Sequence, residues 1–587
     1  MNRRTKLELT WIGKDQEPQL EPRILIEDPE LSYHAPFRMS ENDIFDNRLI
    51  FGDNLLALKA LEQEFAGKIK CIYIDPPYNT GNAFEHYDDG LEHSLWLSLM
   101  KQRIDILWKL LKDDGVIFVQ IDNTEQAYLK VMMDEIFGRK NFLSQISYER
   151  SGSAGIGQGG SFLLNNTEYI LVYAKNKQMI GDIEAKSYKP LEKEVMQRYN
   201  KILVNEGDKL LVDEFVSKSN GMPIQIYKHS NFEFQTISLS NFSARKSEIE
   251  RIYFENFTRI FRTTNPQAEN TFQNELISKM DKNSLYSVVY TPSRGKDKDR
   301  LVTRYYYNNE LFAWLSDSAE IKDGRVVKTN KLGDFWRNED IPKANLANEG
   351  GVDFKRGKKP EYLIKVILDM VTDPGDWVLD SFAGSGTTGA VAHKMGRRWI
   401  MIELGEHCHT HIIPRLKSVI DGKDQGGISK MVNWKGGGGF RYYRLAPSLL
   451  EKDKFGNWVI SKQYNAAMLA EAMCKHMGFT YCPDDNVYWK QGKSTERDYI
   501  YTTTQLITRE IADQIQEQMA EGETLLICCK AYTVNPDDYP NITFVKIPQA
   551  VLKKCEFGRD DYSLSVSQLP PKETVEQVEL FGEEDGQ

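Results

Sequence analysis

The feature of the sequence that most constrains the fold is an alternation of buried strands and helices in two separate blocks. In the first block, residues 68–75 (KIKCIYID) are almost continuously apolar, which predicts a strand buried on both faces. A predicted helix at 94–111 and a predicted strand at 116–122 follow. The second block has predicted strands at 377–380 and 398–403. This alternation predicts an α/β fold with a parallel, doubly wound sheet that is split by an insertion.

The length of 587 residues predicts several domains, since domains usually hold about 100–200 residues. We expect an N-terminal extension at 1–40, the first part of the sheet domain at 41–175, an inserted domain at 176–345, the second part of the sheet domain at 346–425, a Gly-rich linker at 426–440, a C-terminal α/β domain at 441–571 and an acidic tail at 572–587.

The composition is that of a globular protein, with 41% hydrophobic and 27% charged residues. No apolar run reaches the roughly 18 residues that span a bilayer, and the first residues do not resemble a signal peptide, so a cytoplasmic protein without membrane contact is expected. The seven cysteines form no C-x-x-C pair, which favours neither a zinc ribbon nor a disulfide framework. The net charge of −10 argues weakly against nucleic acid, but six acids lie in the last 16 residues.

The first group of residues that carries chemistry is Asp75-Pro76-Pro77-Tyr78, directly after a predicted buried strand. Ligands of open α/β sheets bind beyond the carboxyl ends of the strands, which is where these residues fall. A carboxylate or main-chain carbonyl that accepts amino hydrogens, beside an aromatic ring that stacks on a base, suits methylation of an exocyclic amino group. A simple turn that ends the strand is the alternative interpretation.

The second group is WVLDSFAGSGTT at residues 377–388, a strand that runs into a glycine turn and a helix. The third glycine of a dinucleotide fingerprint is missing, which disfavours a nicotinamide or flavin cofactor. Glu403 ends the next predicted strand, where an acid can hydrogen-bond a ribose diol. A nucleoside without a pyrophosphate, such as S-adenosyl-L-methionine, fits this pattern. A tight turn with a surface acid is the alternative.

Together, DPPYNTGN and FAGSGTT in this order resemble the β-class amino methyltransferases of DNA. The resemblance is greatest to the modification (Mod) subunits of type III restriction-modification systems, because GDNLLALKAL, GVIFVQIDNTEQAYLKVMMDEIFG and KKPEYLIKVIL match that group's flanking segments. It covers about residues 40–175 and 335–425.

The resemblance implies a Rossmann-like, S-adenosyl-L-methionine-dependent methyltransferase domain. The target base would be held by Asp75, Pro76, Pro77 and Tyr78. The cofactor would be held by Lys359, Pro360, Asp380, Phe382, Gly384, Gly386, Thr387 and Glu403. Asp before the two prolines favours adenine N6 over cytosine N4 in this family. Residues 354–360 (FKRGKKP) are one residue longer than the F-x-x-x-K-P pattern of the family.

The inserted segment corresponds in position to the family's target recognition domain. It holds two groups of basic residues interleaved with Phe and Tyr, a mixture that suits phosphate contact and base stacking. The residues we expect at DNA are Arg262, Arg294, Lys296, Lys298, Arg300 and Arg304. A solvated charged surface is the alternative for each of them.

The predicted activity is site-specific methylation of adenine N6 in duplex DNA of a bacterium or archaeon. In the type III interpretation a homodimer pairs with a helicase-nuclease restriction subunit, since this chain has no Walker motif. The alternatives are a solitary DNA methyltransferase, a catalytically idle specificity subunit for a nuclease, and an RNA methyltransferase. His407 and His411 are spaced as a possible metal pair, but no further ligand is evident and no metal is expected.

Overall fold

The computed structural model describes residues 8–78, 93–150, 165–181, 183–267, 269–295, 297–322, 324–341, 346–354 and 357–563. The chain divides into two compact units. The larger unit combines Met1–Ala185 with Gly333–Gln587, and the smaller unit is Lys186–Leu332. Among the helices in the described ranges, none is long and apolar enough to span a membrane.

Within its described residues, the larger unit is built around an eleven-stranded mixed sheet. Its strands are β1 (Leu25–Glu27), β2 (Tyr33–His34), β3 (Asn47–Phe51), β4 (Ile69–Ile74), β5 (Leu111–Ile121), β6 (Phe142–Glu149), β7 (Thr167–Ala174), β8 (Phe335–Trp336), β9 (Trp377–Asp380), β10 (Arg398–Glu403) and β11 (Gly439–Leu445). Their order across the sheet is β1-β11-β3-β10-β9-β4-β5-β7-β6-β8, and β2 pairs with β11.

The six central strands, from β11 to β5, are parallel, as the alternation predicts. The margins differ from that expectation, because β7 is antiparallel to both β5 and β6, and β1 and β2 are antiparallel to β11. Antiparallel neighbours need no helical crossover, and only 17 residues separate the end of β6 from the start of β7.

Helices α1 (Asn54–Phe65), α2 (His93–Leu110), α3 (Gln126–Met133), α4 (Glu361–Val371), α5 (Thr387–Lys394) and α6 (Ile413–Ile420) belong to the same unit as the sheet. Helix α1 begins where the Asp53 carboxylate accepts hydrogen bonds from the amides of Leu55 (2.9 Å) and Leu56 (3.0 Å). Its apolar residues join those of α2 and the strands in one buried cluster that includes Leu58, Trp96 and Ile117. This core holds the carboxyl ends of the central strands in place.

The smaller unit contains, in its described part, an eight-stranded and a three-stranded antiparallel sheet. The strands are Lys186–Pro190, Lys201–Asn205, Asp208–Val216, Pro223–Ser230, Glu233–Thr236, Ile260–Thr264, Leu285–Tyr290, Val302–Tyr307, Glu310–Trp314, Ala319–Lys322 and Arg325–Lys331. The helices are Lys193–Arg198, Lys246–Glu255 and Thr271–Ile277. Rings of Phe234, Phe261, Phe312 and Tyr307 pack together in the unit, with Phe261 and Phe312 stacked at 3.8 Å between centroids.

The C-terminal part of the larger unit forms a hairpin of Leu450–Lys452 with Trp458–Ile460 and a further five-stranded sheet. The strands of that sheet are Thr480–Tyr481, Gly492–Lys493, Asp498–Ile507, Thr524–Tyr532 and Ile542–Lys546, and the helices are Ala466–Met477 and Arg509–Gln518. The sequence predicts this α/β pattern, with a helix near 466–476 and strands near 499–502, 524–528 and 542–547. The region contacts α1, because Lys475 Nζ donates to the Ala60 carbonyl at 2.9 Å.

Candidate active site

The parallel central strands bring acidic residues together at one edge of the large sheet. Asp75 directly follows β4, Asp380 ends β9 and Glu403 ends β10. Strand β9 lies between the other two, with Leu379 opposite Ile72 on one side and Asp380 opposite Met401 on the other. The two motifs, about 300 residues apart in the sequence, therefore meet at the carboxyl ends of neighbouring strands, where ligands of α/β sheets bind.

Asp75 is held by two donors. Its Oδ2 lies 2.8 Å from Lys359 Nζ, and its Oδ1 lies 2.6 Å from the Tyr78 hydroxyl. Lys359 Nζ also donates to the Tyr78 hydroxyl at 2.9 Å and lies 3.5 Å from Glu168 Oε2. The ammonium therefore lies among two carboxylates and a phenol, in the half of the site that we predicted for the target base.

Glu168, the second carboxylate, was missed by sequence reasoning. It is the second residue of β7, and the amide of Gln120 donates to its Oε2 at 2.5 Å. The Tyr73 hydroxyl in turn donates to Gln120 Oε1 at 2.6 Å. The signal in the sequence was a single acid in the otherwise apolar segment TEYILVYA and a single amide in VIFVQI. Buried polar groups in such strands need partners, so each indicates a hydrogen-bond network.

Charge and burial set the ionisation of this cluster. Burial raises the pKa of Asp75, Lys359 opposes that rise, and Glu168 adds to it. Burial disfavours the charged form of Lys359, yet Asp75 and Glu168 raise its pKa above the ordinary value. Burial would also raise the pKa of Glu168, but Lys359 and Arg150 lower it overall. The pKa of Tyr78 lies well above its usual range because of burial and the two carboxylates, so the phenol remains a donor.

The chain around the two prolines is fixed by a buried tryptophan. The indole Nε1 of Trp96, on α2, donates to the Pro77 carbonyl at 2.7 Å. Trp96 is fully buried, and Tyr78 is buried as well. The bond holds residues 75–78 in one conformation beyond the end of β4.

The turn after β9 is organised by Asp380. Its Oδ2 accepts the Thr388 hydroxyl at 2.6 Å, and its Oδ1 accepts the Phe382 amide at 3.0 Å. Burial raises the pKa of Asp380 to about 7, although both hydrogen bonds lower it, and the nearby charges of Asp75 and Glu403 add to the rise. These contacts fasten the first residues of the turn to the start of α5.

Glu403 closes the same turn from β10. Its Oε2 accepts the Gly384 amide at 2.8 Å, and its Oε1 accepts the amides of Leu404 at 2.9 Å and Gly405 at 3.0 Å. The imidazole Nε2 of His407 lies 3.1 Å from the same Oε1. The predicted ribose-binding acid is thus also a structural anchor of the turn.

Gly386 requires its glycine, because its φ is +73° and a Cβ there would lie 3.0 Å from Ile412 Cγ2. Thr387, the first residue of α5, is reached from beneath by Arg415, whose Nη1 donates to the Thr387 hydroxyl at 2.8 Å and to the Ser385 carbonyl at 3.1 Å. The other end of this buried guanidinium contacts Glu361 Oε1 at 2.9 Å. Arg415 thus links the turn to Glu361 at the start of α4.

Lys359 and Pro360 precede α4, and Pro360 is the residue at its N-cap. We predicted both as cofactor contacts, whereas the structure brings the Lys359 side chain to Asp75. The neighbouring Lys358 points elsewhere and donates to the Val352 carbonyl at 3.0 Å. Residues 355 and 356 of the extended FKRGKKP segment lie outside the described residues.

The described basic residues that we predicted to contact DNA differ in their surroundings within the smaller unit. Arg294, Lys298 and Arg300 are exposed in the segment between strands Leu285–Tyr290 and Val302–Tyr307. Arg304 pairs with Asp297 at 2.5 Å. Arg262 lies over the Tyr199 ring at 5.3 Å. Lys296 lies outside the described residues.

The histidine pair lies beside an aromatic ring. The Phe354 ring is 5.6 Å from the His407 ring and 5.5 Å from the His411 ring, measured between centroids. Across the part of the chain that the structure describes, no group of three or more His, Cys, Asp or Glu side chains is arranged to hold a metal ion.

The chain is similar in sequence to known proteins. A sequence model of the DNA methylase family matches residues 69–414, more than half of the chain. The chain belongs to this DNA methylase family.

Among individual relatives, the chain is 41% identical over 428 residues to a protein described as the probable HindVI Mod subunit of a type III restriction-modification enzyme from Haemophilus influenzae. That match covers 70% of this chain and 55% of the relative. The EcoPI Mod subunit of Escherichia phage P1 is 27% identical over 437 residues, covering 66% and 60% of the two chains. The chain thus spans a little over half of the length of these relatives.

A solved structure, the cytosine-N4-specific PvuII DNA methyltransferase, matches 68% of this chain and 95% of its own length, with 13% identity and a TM-score of 0.29.

Proposed function

We propose that this protein transfers a methyl group from S-adenosyl-L-methionine to the N6 amino group of adenine at specific sites in duplex DNA. The observation that carries the proposal is the meeting of Asp75 with Asp380 and Glu403 at the ends of neighbouring strands. Asp75 offers an acceptor for an amino hydrogen, and the glycine turn that follows Asp380 offers a place for the cofactor. Membership of the DNA methylase family supports the same conclusion.

The turn from Asp380 to Thr387 fits S-adenosyl-L-methionine. Gly384 and Gly386 both have positive φ and allow a close backbone approach, and Glu403 fixes the turn through the Gly384 amide. In this proposal Asp380, Phe382, Gly384, Gly386, Thr387 and Glu403 hold the cofactor. Bound there, the cofactor supplies a methyl group on a cationic sulfur.

In the other half, Asp75 would accept a hydrogen of the target amine. That hydrogen bond localises the nitrogen lone pair, which is otherwise delocalised into the ring of the base. The Tyr78 ring would stack on a base rotated out of the duplex, and the Trp96 bond to Pro77 keeps residues 75–78 fixed during this step. Asp before the two prolines supports adenine rather than cytosine, as the resemblance to the β-class amino methyltransferases implies.

We assign the large sheet to a split, Rossmann-like methyltransferase domain, to which β1, β2, β8 and β11 add residues outside the predicted 41–175 and 346–425. We assign the smaller unit, Lys186–Leu332, to target recognition in place of the predicted 176–345. The predicted C-terminal domain at 441–571 lies within the larger unit, and its first residues belong to β11. The exposure of Arg294, Lys298 and Arg300 supports phosphate contact in the inserted segment. Acids lie beside bases in this segment as well as on helix Lys246–Glu255: Lys298 is 3.8 Å from Asp299, and Arg251 is 3.6 Å from Glu255.

We also propose that the protein is the modification subunit of a type III restriction-modification system in the cytoplasm of a bacterium or archaeon, acting as a homodimer with a helicase-nuclease subunit. The Mod subunits named above support this assignment. Copurification of a second, ATP-hydrolysing chain with the protein from its own cells is the expected result. A protein that methylates DNA but recovers no such partner is a solitary methyltransferase.

The experiment that tests the activity is mass spectrometry of nucleosides from methylation-free genomic DNA after incubation with protein and S-adenosyl-L-methionine. We expect N6-methyladenine with the wild type and with Asp485→Ala, which alters an exposed acid remote in sequence, but not with Asp75→Ala. N4-methylcytosine would overturn the base assignment, methylation of RNA alone would overturn the DNA assignment, and no modified base in either would indicate an idle specificity subunit.

A further inference from the structure

The side-chain ammonium of Lys359 is the cation in contact with Asp75, at 2.8 Å from its Oδ2. The Lys359 side chain is only 12% exposed, and its other hydrogen-bond and ion-pair contacts among the described residues are the Tyr78 hydroxyl at 2.9 Å and Glu168 Oε2 at 3.5 Å. All three contacts are acceptors, so the three ammonium hydrogens are directed into the cluster. This is the arrangement of a fixed charge rather than of a mobile surface lysine.

Burial and the Glu168 carboxylate favour the neutral form of Asp75, whereas the Tyr78 hydroxyl, which donates to Asp75 Oδ1 at 2.6 Å, favours the charged form together with Lys359. The Glu168 carboxylate lies behind Tyr78, with its Oε2 3.2 Å from the Tyr78 hydroxyl. Arg150 lies 3.4 Å from Glu168 Oε1 and is more than half exposed, so solvent screens its charge. Burial raises the pKa of Asp75 further. A neutral carboxyl is a weaker acceptor for an amine hydrogen than a carboxylate.

We propose that Lys359 is a positioning residue for methyl transfer: its ammonium keeps Asp75 ionised and ready to accept the amino hydrogen, and Glu168 holds the ammonium in place. This inference rests on the proposed function of Asp75. It gives Lys359 a role at the target base instead of the cofactor contact that the sequence motif implies.

The first test is the pH dependence of single-turnover methyl transfer by Lys359→Met. An opposite charge within about 4–6 Å typically lowers a carboxyl pKa by about 1–3 units. Removing it should therefore shift the acid limb of the pH–rate profile, where the rate falls as Asp75 takes up a proton, to higher pH by about 1–3 units. Affinity for S-adenosyl-L-methionine should remain that of the wild type. A lower cofactor affinity with an unmoved acid limb would overturn the proposal and restore the cofactor contact.

Glu168→Gln supplies a change of opposite sign. Removing a negative charge that opposes ionisation of Asp75 should move the acid limb to lower pH. Lys359→Arg restores the positive charge and should return the limb toward that of the wild type. If all three variants shifted the limb in the same direction, a general structural disturbance would explain them and the proposal would fail.

A matched control comes from the same helix region. Lys365, in α4, is buried and paired with Asp369. Lys365→Met removes an equally buried ammonium away from the site, so it should leave the acid limb where it is. A shift as large as that of Lys359→Met would contradict a local effect on Asp75.

A readout without activity separates this proposal from the proposed function. Infrared titration of the full chain without DNA follows the carboxylic-acid carbonyl band that Asp75→Asn removes. That band should appear at higher pH in Lys359→Met than in the wild type, even if no DNA is methylated. Equal midpoints would overturn the role of Lys359, whereas a wild type inactive on all DNA would overturn only the proposed function.

Discussion

Asp75 and Asp380 lie at the ends of neighbouring parallel strands and are both buried, but their partners differ in charge. Asp75 contacts the ammonium of Lys359 at 2.8 Å, whereas Asp380 is held by neutral donors, the Thr388 hydroxyl and the Phe382 amide. Burial raises the pKa of Asp380 to about 7, although these hydrogen bonds lower it. Two buried carboxyl groups at one edge of a sheet can therefore face different influences: a cation opposes the burial that raises the pKa of Asp75, whereas only neutral donors oppose the burial that raises the pKa of Asp380.

The largest effect is expected from replacing Asp75. Replacing it with Asn keeps the shape but removes the charged acceptor, and the loss of one preorganised acceptor or donor for a transition state typically costs about 10²–10³ in rate. We expect single-turnover methyl transfer by Asp75→Asn to fall by at least this factor. A loss smaller than tenfold would show that the amine is activated elsewhere.

The second prediction concerns stability at Asp380. Its folded pKa of about 7 exceeds the ordinary 3.8, so the folded protein keeps this proton to higher pH than the unfolded chain. Stability is therefore lost as the pH rises from about 4 to 7. Asp380→Asn should remove this loss. The free energy of unfolding of the variant relative to the wild type should therefore increase from about pH 4 to 7, by an amount on the order of 2–4 kcal/mol, and the difference in melting temperature should increase with it.

The control for this measurement is Asp373→Asn, which alters an exposed carboxyl next to the same strand. Its melting temperature shows what the loss of one exposed carboxyl does by itself. If Asp380→Asn behaved like this control, Asp380 would be ionised throughout, and its contrast with Asp75 would disappear.

The third prediction concerns the stability of the glycine turn at Gly386. Gly386→Ala places a Cβ at a φ of +73° and 3.0 Å from Ile412. The left-handed conformation costs an L-residue about 1–2 kcal/mol, so urea denaturation should show a loss of that size. Gly333→Ala, where a Cβ would meet open space, should change stability far less. Equal losses would mean that the turn is not constrained as described.

The smallest effect is expected at Trp96. Trp96→Phe removes the hydrogen bond to the Pro77 carbonyl, worth about 0.5–1.5 kcal/mol, and should lower methyl transfer less than tenfold. Trp489→Phe is the matched control, because Trp489 is equally buried and donates at 3.0 Å to Gln518, the last residue of helix Arg509–Gln518. It should cost similar stability without changing the rate. An identical rate loss in both variants would argue against a specific role of Trp96.

Much of the fold could be predicted from the sequence, because its central strands are buried on both faces and therefore almost continuously apolar. Strands β4, β9 and β10 lie where the apolar runs predict them, and parallel pairing then brings their carboxyl ends to one edge. The antiparallel margins could not be predicted, since an apolar run such as YILVY in β7 does not reveal the direction of its neighbour.

The site was predicted less completely for a similar reason. Asp75 and Asp380 are visible because they follow apolar strands and precede turn residues. Glu168 and Gln120 lie within strands, so their meeting with Asp75 depends on strand order rather than on local sequence. The direction of the Lys359 side chain likewise depends on where α4 packs, although the residue itself was selected from its motif.

The measurement that tests the account most directly is calorimetric titration of S-adenosyl-L-methionine into the wild type, Asp75→Asn and Asp380→Asn. The account predicts that Asp75→Asn binds the cofactor like the wild type while failing to transfer its methyl group, and that Asp380→Asn binds it at least about tenfold more weakly, equivalent to about 1.4 kcal/mol. Loss of binding in Asp75→Asn together with full binding in Asp380→Asn would contradict the division of this edge into a transfer half and a cofactor half.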